Sequence, residues 1–136
     1  MQQLKLPIAA ALALLAAAGA GAAPTAGDIA AGKAAFSACA SCHQVGPSAR
    51  GGFGPQLNGV LGRPAGSSAD YRYSTAMKNA KIVWSAQSLA AFIKDPDRVV
   101  PGTKMRFSSF GYDDRKIAQL IAYLGSLPAG DPGRAQ

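Results

Sequence analysis

Apolar residues recur at helical spacing in three stretches of the chain. The strongest lies near the C-terminal end. In RKIAQLIAYLGSL, Ile117, Leu120, Ile121 and Leu124 stand at i, i+3, i+4 and i+7, a stripe that buries one side of a helix. Asp113 or Asp114 caps it and places acid at the positive end of its dipole. A second helix is predicted from AQSLAAFIKD, with Leu89, Phe92 and Ile93 on one side. Ser85 opens it, and it stops before Pro96, because proline disfavours helical backbone in the residue preceding it. A third is predicted from Asp28 to Ala40, with Asp28 as N-cap and Ile29, Gly32, Phe36 and Cys39 sharing a face. A short helix through TAMKNA follows the capping residue Ser74.

Residues 44–70 and 95–112 are rich in Gly, Pro and Ser and hold no sustained period, which reads as loop. Loops of this length inside a compact domain need a surface to pack on, and a bound cofactor would provide one. No run alternates in the manner of a strand, and no repeat occurs. The fold class is therefore all-α, with three to five helices and long loops. The last residues, PAGDPGRAQ, are expected to fray.

The first residues do not belong to this pattern. Lys5 precedes an apolar run from Leu6 to Ala18, and Ala20-Gly21-Ala22 then offers small residues at the spacing signal peptidase reads. A retained membrane span needs about 20 apolar residues, and this run is shorter. Residues 1–22 are read as a signal peptide and 23–136 as one domain with an ordered core at about 28–127. Export past a bacterial inner membrane makes the expected location periplasmic, an oxidising compartment.

Charge narrows the partners. The chain has 14 Lys+Arg against 7 Asp+Glu, a net charge of +7, which falls to +6 when Lys5 leaves with the leader. The cations are scattered, with no basic run, so nucleic acid is not the expected partner. A diffuse positive surface steers a protein toward acidic protein partners or a membrane surface.

The chemistry concentrates at Cys39-Ala40-Ser41-Cys42-His43. C-x-x-C-H is the attachment signature of c-type haem. Residues i and i+3 of a helical turn face the same way, so both thiols reach the two vinyl groups on one porphyrin edge, and the adjacent His43 directs a ring nitrogen at the iron. A disulfide across so short a loop would stabilise little. A thioredoxin-like dithiol belongs beside a βαβ pattern, and a structural zinc site needs four ligands; the sequence offers neither. The sixth iron position calls for a soft ligand in a carrier. After the leader the candidates are Met77, in the short helix, and Met105, in the turn-rich Val100–Met105 loop. Loop context favours Met105, since a turn can project one side chain onto a flat ring.

With these residues in order, the chain resembles the class I cytochromes c over about Asp28 to Leu127. Gly32–Phe36 is similar to the family's first helix, Gly54–Gly59 to its proximal loop, and Val60–Arg63 to its V-x-G-R run. Tyr71–Ser74 with Lys78, Asn79 and Trp84 also fits, and Pro101–Met105 followed by Phe107 is similar to the methionine loop. The resemblance implies a small cytochrome c fold wrapped around one haem, iron held by His43 and Met105, and haem bonded to Cys39 and Cys42. It further implies that the Pro55 carbonyl orients His43. Arg63, Tyr73 and Trp84 become propionate contacts, Thr103 a contact in the methionine loop, and Leu120 and Tyr123 the partners of the first helix. Phe92 stands where the family often has a tyrosine beside the sulfur. Ala38 and Asp97 replace lysines of the docking ring, leaving Lys104, Arg98 and Lys33.

The implied function is that of a soluble, monomeric electron carrier, not an enzyme. It would pass single electrons between donor and acceptor proteins with acidic docking surfaces, in a respiratory chain or another redox system. A peroxidase or gas-binding protein would need a distal acid or base, and His43 is the sole histidine. A dedicated subunit of one dehydrogenase would share the same chemistry.

Overall fold

The structure is a computed structural model and describes residues 21–130. The expected leader and the end of the tail lie outside the described residues, apart from Gly21 and Ala22 of the leader and residues 128–130 of the tail.

Among the described residues there are five α-helices: α1 (Ala26–Ala35), α2 (Thr75–Lys78), α3 (Ala86–Lys94), α4 (Pro96–Val99) and α5 (Asp114–Ser126). Each predicted helix forms, with three corrections to the reading. The cap of α1 is Thr25, not Asp28. Both are capping residue types and they act as a pair. The Thr25 hydroxyl accepts from the Asp28 N–H, and the Asp28 carboxylate accepts from the Thr25 N–H, each at 3.1 Å. The helix also tightens into a 3₁₀ turn at Phe36–Ala38 instead of running on to Ala40, with Cys39 N–H donating to the Phe36 carbonyl at 2.8 Å. The third correction is α4, inside a stretch predicted as loop. Asp95 caps it by accepting from the Arg98 N–H, and Pro96 takes the first helical position, where a missing N–H costs nothing. The proline that stops α3 thus starts α4. At the last helix the choice falls on Asp113, whose carboxylate accepts from the Lys116 N–H at 2.8 Å.

The α1–α5 crossing is the most extensive helix contact. It depends on Gly32, where a Cβ would run into the Gln119 carbonyl and lie 2.8 Å from the Tyr123 Cβ. Phe36 fills the space beside it, its ring 5.7 Å from that of Tyr123. Leu120 is fully buried beneath, and α3 closes over α5 with Leu89, Phe92 and Ile93.

The glycine-rich segments are loops held by backbone hydrogen bonds. Around an isolated antiparallel bridge between Pro64 and Val83, Gly62 N–H donates to Trp84 O at 2.7 Å and Trp84 N–H to Arg63 O at 3.0 Å. This sets Arg63 beside Trp84. No helix of the described residues is long and apolar enough to cross a membrane.

Candidate functional site

The loops and the inner faces of the helices enclose a cavity of about 460 Å³, within the range of cofactor pockets. A larger apolar groove of about 750 Å³ runs along α5 beside α3, but no cysteine, histidine or methionine lines it. The chemistry-bearing side chains converge on the smaller cavity.

Cys39, Cys42 and His43 enter it from one turn, with Cys42 N–H and His43 N–H both donating to Cys39 O, at 3.1 and 2.9 Å. The two cysteines are not joined to each other in a disulfide. Cys39 is half-buried and Cys42 exposed, and burial, helped by the neighbouring Cys42, pushes the Cys39 thiol up. His43 Nδ1 lies 2.8 Å from the Pro55 carbonyl oxygen. A carbonyl can only accept, so Nδ1 carries the proton and Nε2 keeps a free lone pair. Burial holds the imidazole below its usual pKa against the opposing pull of that hydrogen bond, with Arg63 adding to the lowering. The Pro55 loop is strapped to the same turn by Gly54 N–H donating to Cys42 O at 2.8 Å. Gly54 is required there, because a Cβ would sit 2.6 Å from His43 Cε1.

Arg63, Tyr73 and Trp84 gather at another part of the lining. The Arg63 guanidinium donates to the carbonyls of Asn58 and Gln56 at 3.1 and 2.8 Å, and among the described residues no carboxylate pairs with it. Desolvation lowers its pKa, while Tyr73 and Asp70 pull the other way. The Tyr73 hydroxyl accepts from the Ser68 N–H at 3.3 Å, which leaves its own proton to donate. Trp84 is buried against Phe92, ring centroids 5.1 Å apart. A desolvated cation without an acid, next to two further donor side chains, is complementary to an anionic group.

Met105 reaches the cavity from the loop after α4. Thr103, almost fully buried, fixes this loop: its N–H donates to Val100 O at 2.9 Å and its hydroxyl accepts from the Met105 N–H at 3.3 Å. Met77 also lines the cavity, buried in the core. All nine site residues expected from the sequence therefore line one cavity.

The rim differs in part from expectation. Lys104 and Ala38 line it, but Lys33 and Arg98 do not. Arg106 and Phe53 do, and neither was anticipated. Arg106 is adjacent to Met105 in sequence, which could have marked it; it pairs with Asp97 at 3.6 Å. Phe53 is 90% exposed, and its place is set by loop conformation, for which the sequence gives no sign.

The residues fit a flat apolar metal macrocycle with acidic substituents. Two thiols lie one turn apart, an imidazole is held in the ligating tautomer, thioethers are at hand, the walls are apolar, and one corner is cationic. Among the described residues, no group of three or more His, Cys, Asp or Glu could hold a bare metal ion.

Comparisons with known proteins agree with this geometry. A sequence model described as cytochrome c matches residues 29–128. The chain is 45% identical over 101 residues to a cytochrome c2 of Agrobacterium tumefaciens (strain II Chrys), covering 72% of this chain and 90% of that protein. It is 44% identical over 101 residues to cytochrome c-550 of Nitrobacter winogradskyi, covering 74% and 92%. Among solved structures, cytochrome cH from Methylobacterium extorquens superposes with a TM-score of 0.66 at 41% identity, covering 72% of this chain and 97% of that one. Cytochrome c2 from Rhodospirillum centenum gives a TM-score of 0.70 at 30% identity, covering 74% and 98%.

Proposed function

The chain belongs to the class I monohaem cytochromes c, electron-transfer proteins that carry one covalently bound haem c, and from that premise we propose that Cys39 and Cys42 bond the haem while His43 and Met105 ligate its iron. The protein is an electron carrier and not an enzyme. The contact of His43 Nδ1 with the Pro55 carbonyl supports the assignment most directly, because it frees Nε2 for a metal.

Bound in the cavity, the haem supplies a one-electron iron couple. The chain supplies fixity, potential and exclusion of water. Pro55 and Gly54 hold His43 in one orientation. Arg63 would offset propionate charge, and Tyr73 and Trp84 would donate hydrogen bonds to it, in a largely apolar site. Thr103 fixes the backbone of Met105. The His43 ring is anchored by the Pro55 carbonyl and the Met105 backbone by the Thr103 hydroxyl.

Donor and acceptor are redox proteins with acidic docking surfaces, engaged weakly and briefly by a monomer. The net charge, +7 for the full chain and +6 without Lys5, supports this, as do Lys104 and Arg106 at the rim. The signal-like leader supports export to the periplasm with cleavage near Ala22.

Paired variants of the exported holoprotein test the ligand assignment. Met105→Ala is expected to give a high-spin spectrum and to bind carbon monoxide when reduced. Met77→Ala is expected to keep a closed, low-spin iron. An open iron in Met77→Ala, or a closed one in Met105→Ala, would overturn the assignment.

A further inference from the structure

Tyr112 does not line the cavity and belongs to no motif. It nonetheless makes three contacts, one of which joins distant parts of the chain. Its hydroxyl donates to the Ala35 carbonyl at 2.6 Å, across 77 residues of sequence. Its ring meets that of Phe107 edge-on, with centroids 5.2 Å apart and an interplanar angle of 83°. The Lys116 ammonium stands 4.1 Å from its ring centroid. Phe107 is two residues beyond Met105, and Ala35 is the last residue of α1, directly before the turn that carries Cys39.

The two legs of the Met105 loop are held differently. On the amino side, Thr103 is buried in its turn and the Lys104 ammonium donates to the Arg72 carbonyl at 2.7 Å. On the carboxyl side, Arg106 pairs with Asp97 across a largely exposed gap, a contact of little energetic weight. Ser109 donates to Lys94 O at 2.8 Å, which ties the loop to the end of α3. Among these ties, the Phe107–Tyr112–Ala35 chain is the one that reaches the element bearing the haem-attachment motif. Burial raises the Tyr112 pKa, so the phenol remains a donor throughout the neutral range.

We propose that Tyr112 is a positioning residue that clamps the Met105 segment onto the end of α1 and thereby sets how readily Met105 leaves the iron. The inference rests on Met105 being the sixth ligand. It couples the two halves of the site: a shift at the end of α1 is felt at Met105 through one hydrogen bond and one ring contact.

Tyr112→Phe in the holoprotein removes the hydroxyl and keeps the ring. Imidazole added to the ferric protein must displace Met105, so its apparent affinity reports how often the loop opens. Losing one hydrogen bond that exists only in the closed loop is expected to tighten apparent imidazole binding about fivefold. The Tyr112→Phe spectrum without imidazole should stay unchanged. Ile121→Val, in a buried position on the groove beside α3, is expected to lower the unfolding midpoint and leave imidazole affinity as in the parent. Affinity within twofold of the parent in Tyr112→Phe, or an equal gain in both variants, would overturn the clamp. Absence of the thioether-to-iron band in the unsubstituted protein would instead remove the Met105 premise, and that is read before any variant is made.

Discussion

The imidazole of His43 has two nitrogens, and the Pro55 carbonyl 2.8 Å from Nδ1 decides which keeps its lone pair. Gly54 decides how closely the backbone approaches the ring. A Cβ there would lie 2.6 Å from Cε1 and 2.8 Å from Nδ1, so the ring or the loop must shift. Gly54→Ala is therefore expected to lower holoprotein stability by about 1–3 kcal/mol, the cost of overpacking a filled site. Urea unfolding checks this, and an unchanged midpoint would mean that the loop gives way freely. The pair of thiols and the histidine were legible because the chemistry needs them contiguous in sequence. Tyr112 was not, since its partner Ala35 lies 77 positions away and a tyrosine in a loop has no signature of its own. Arg63, Tyr73 and Trp84 fell between these cases. Only the family resemblance gathered them, and in the structure the short pairing of residues 62–65 with 82–84 sets Arg63 beside Trp84.

Among the helices, the capping box at the start of α1 carries a pH dependence. Asp28 is held at a pKa of about 2, below its ordinary 3.8, first by the Thr25 hydroxyl, then by the Gln119 amide of α5 and the Thr25 N–H. Its ionised form is thus favoured in the folded chain. That stabilisation is complete above the unfolded value and is lost as pH falls from about 4 toward about 2. The stability gap between the parent and Asp28→Asn is expected to be constant near neutrality and to close over that acid window. Urea midpoints at pH 6 and pH 2.5 would measure it, and an equal gap at both would contradict it. The helices with strong apolar stripes were legible in type and nearly in extent, because Ser74, Ser85 and Asp113 mark their starts. The start of α1 was misread by taking the second member of a capping box for the first. The helix α4 was hidden because four residues are too few to show a period, and only Asp95-Pro96 hints at it.

Taken as a whole, the molecule has its core wrapped around the site. Of the buried apolar residues, all but Ala35, Val100, Ile117 and Ile121 also line the cavity. The helices meet each other mainly at the α1–α5 crossing, and the long loops pack on the cavity rather than on a sheet. A chain of this length has a modest core, so the covalent haem is expected to complete it. A Cys39→Ala, Cys42→Ala chain should be largely unfolded by far-ultraviolet circular dichroism, and native helicity in it would show that the polypeptide core suffices. The loops were legible as loops, but not how they close, because turn residues mark where a chain bends and not what it meets. The central claim is a closed iron held by His43 and Met105, and the visible absorption of the purified holoprotein tests it most directly, oxidised and reduced, with and without carbon monoxide. Sharp c-type bands on reduction, the weak thioether band when oxidised and indifference to carbon monoxide are the predicted result. A high-spin spectrum that shifts with carbon monoxide would contradict it.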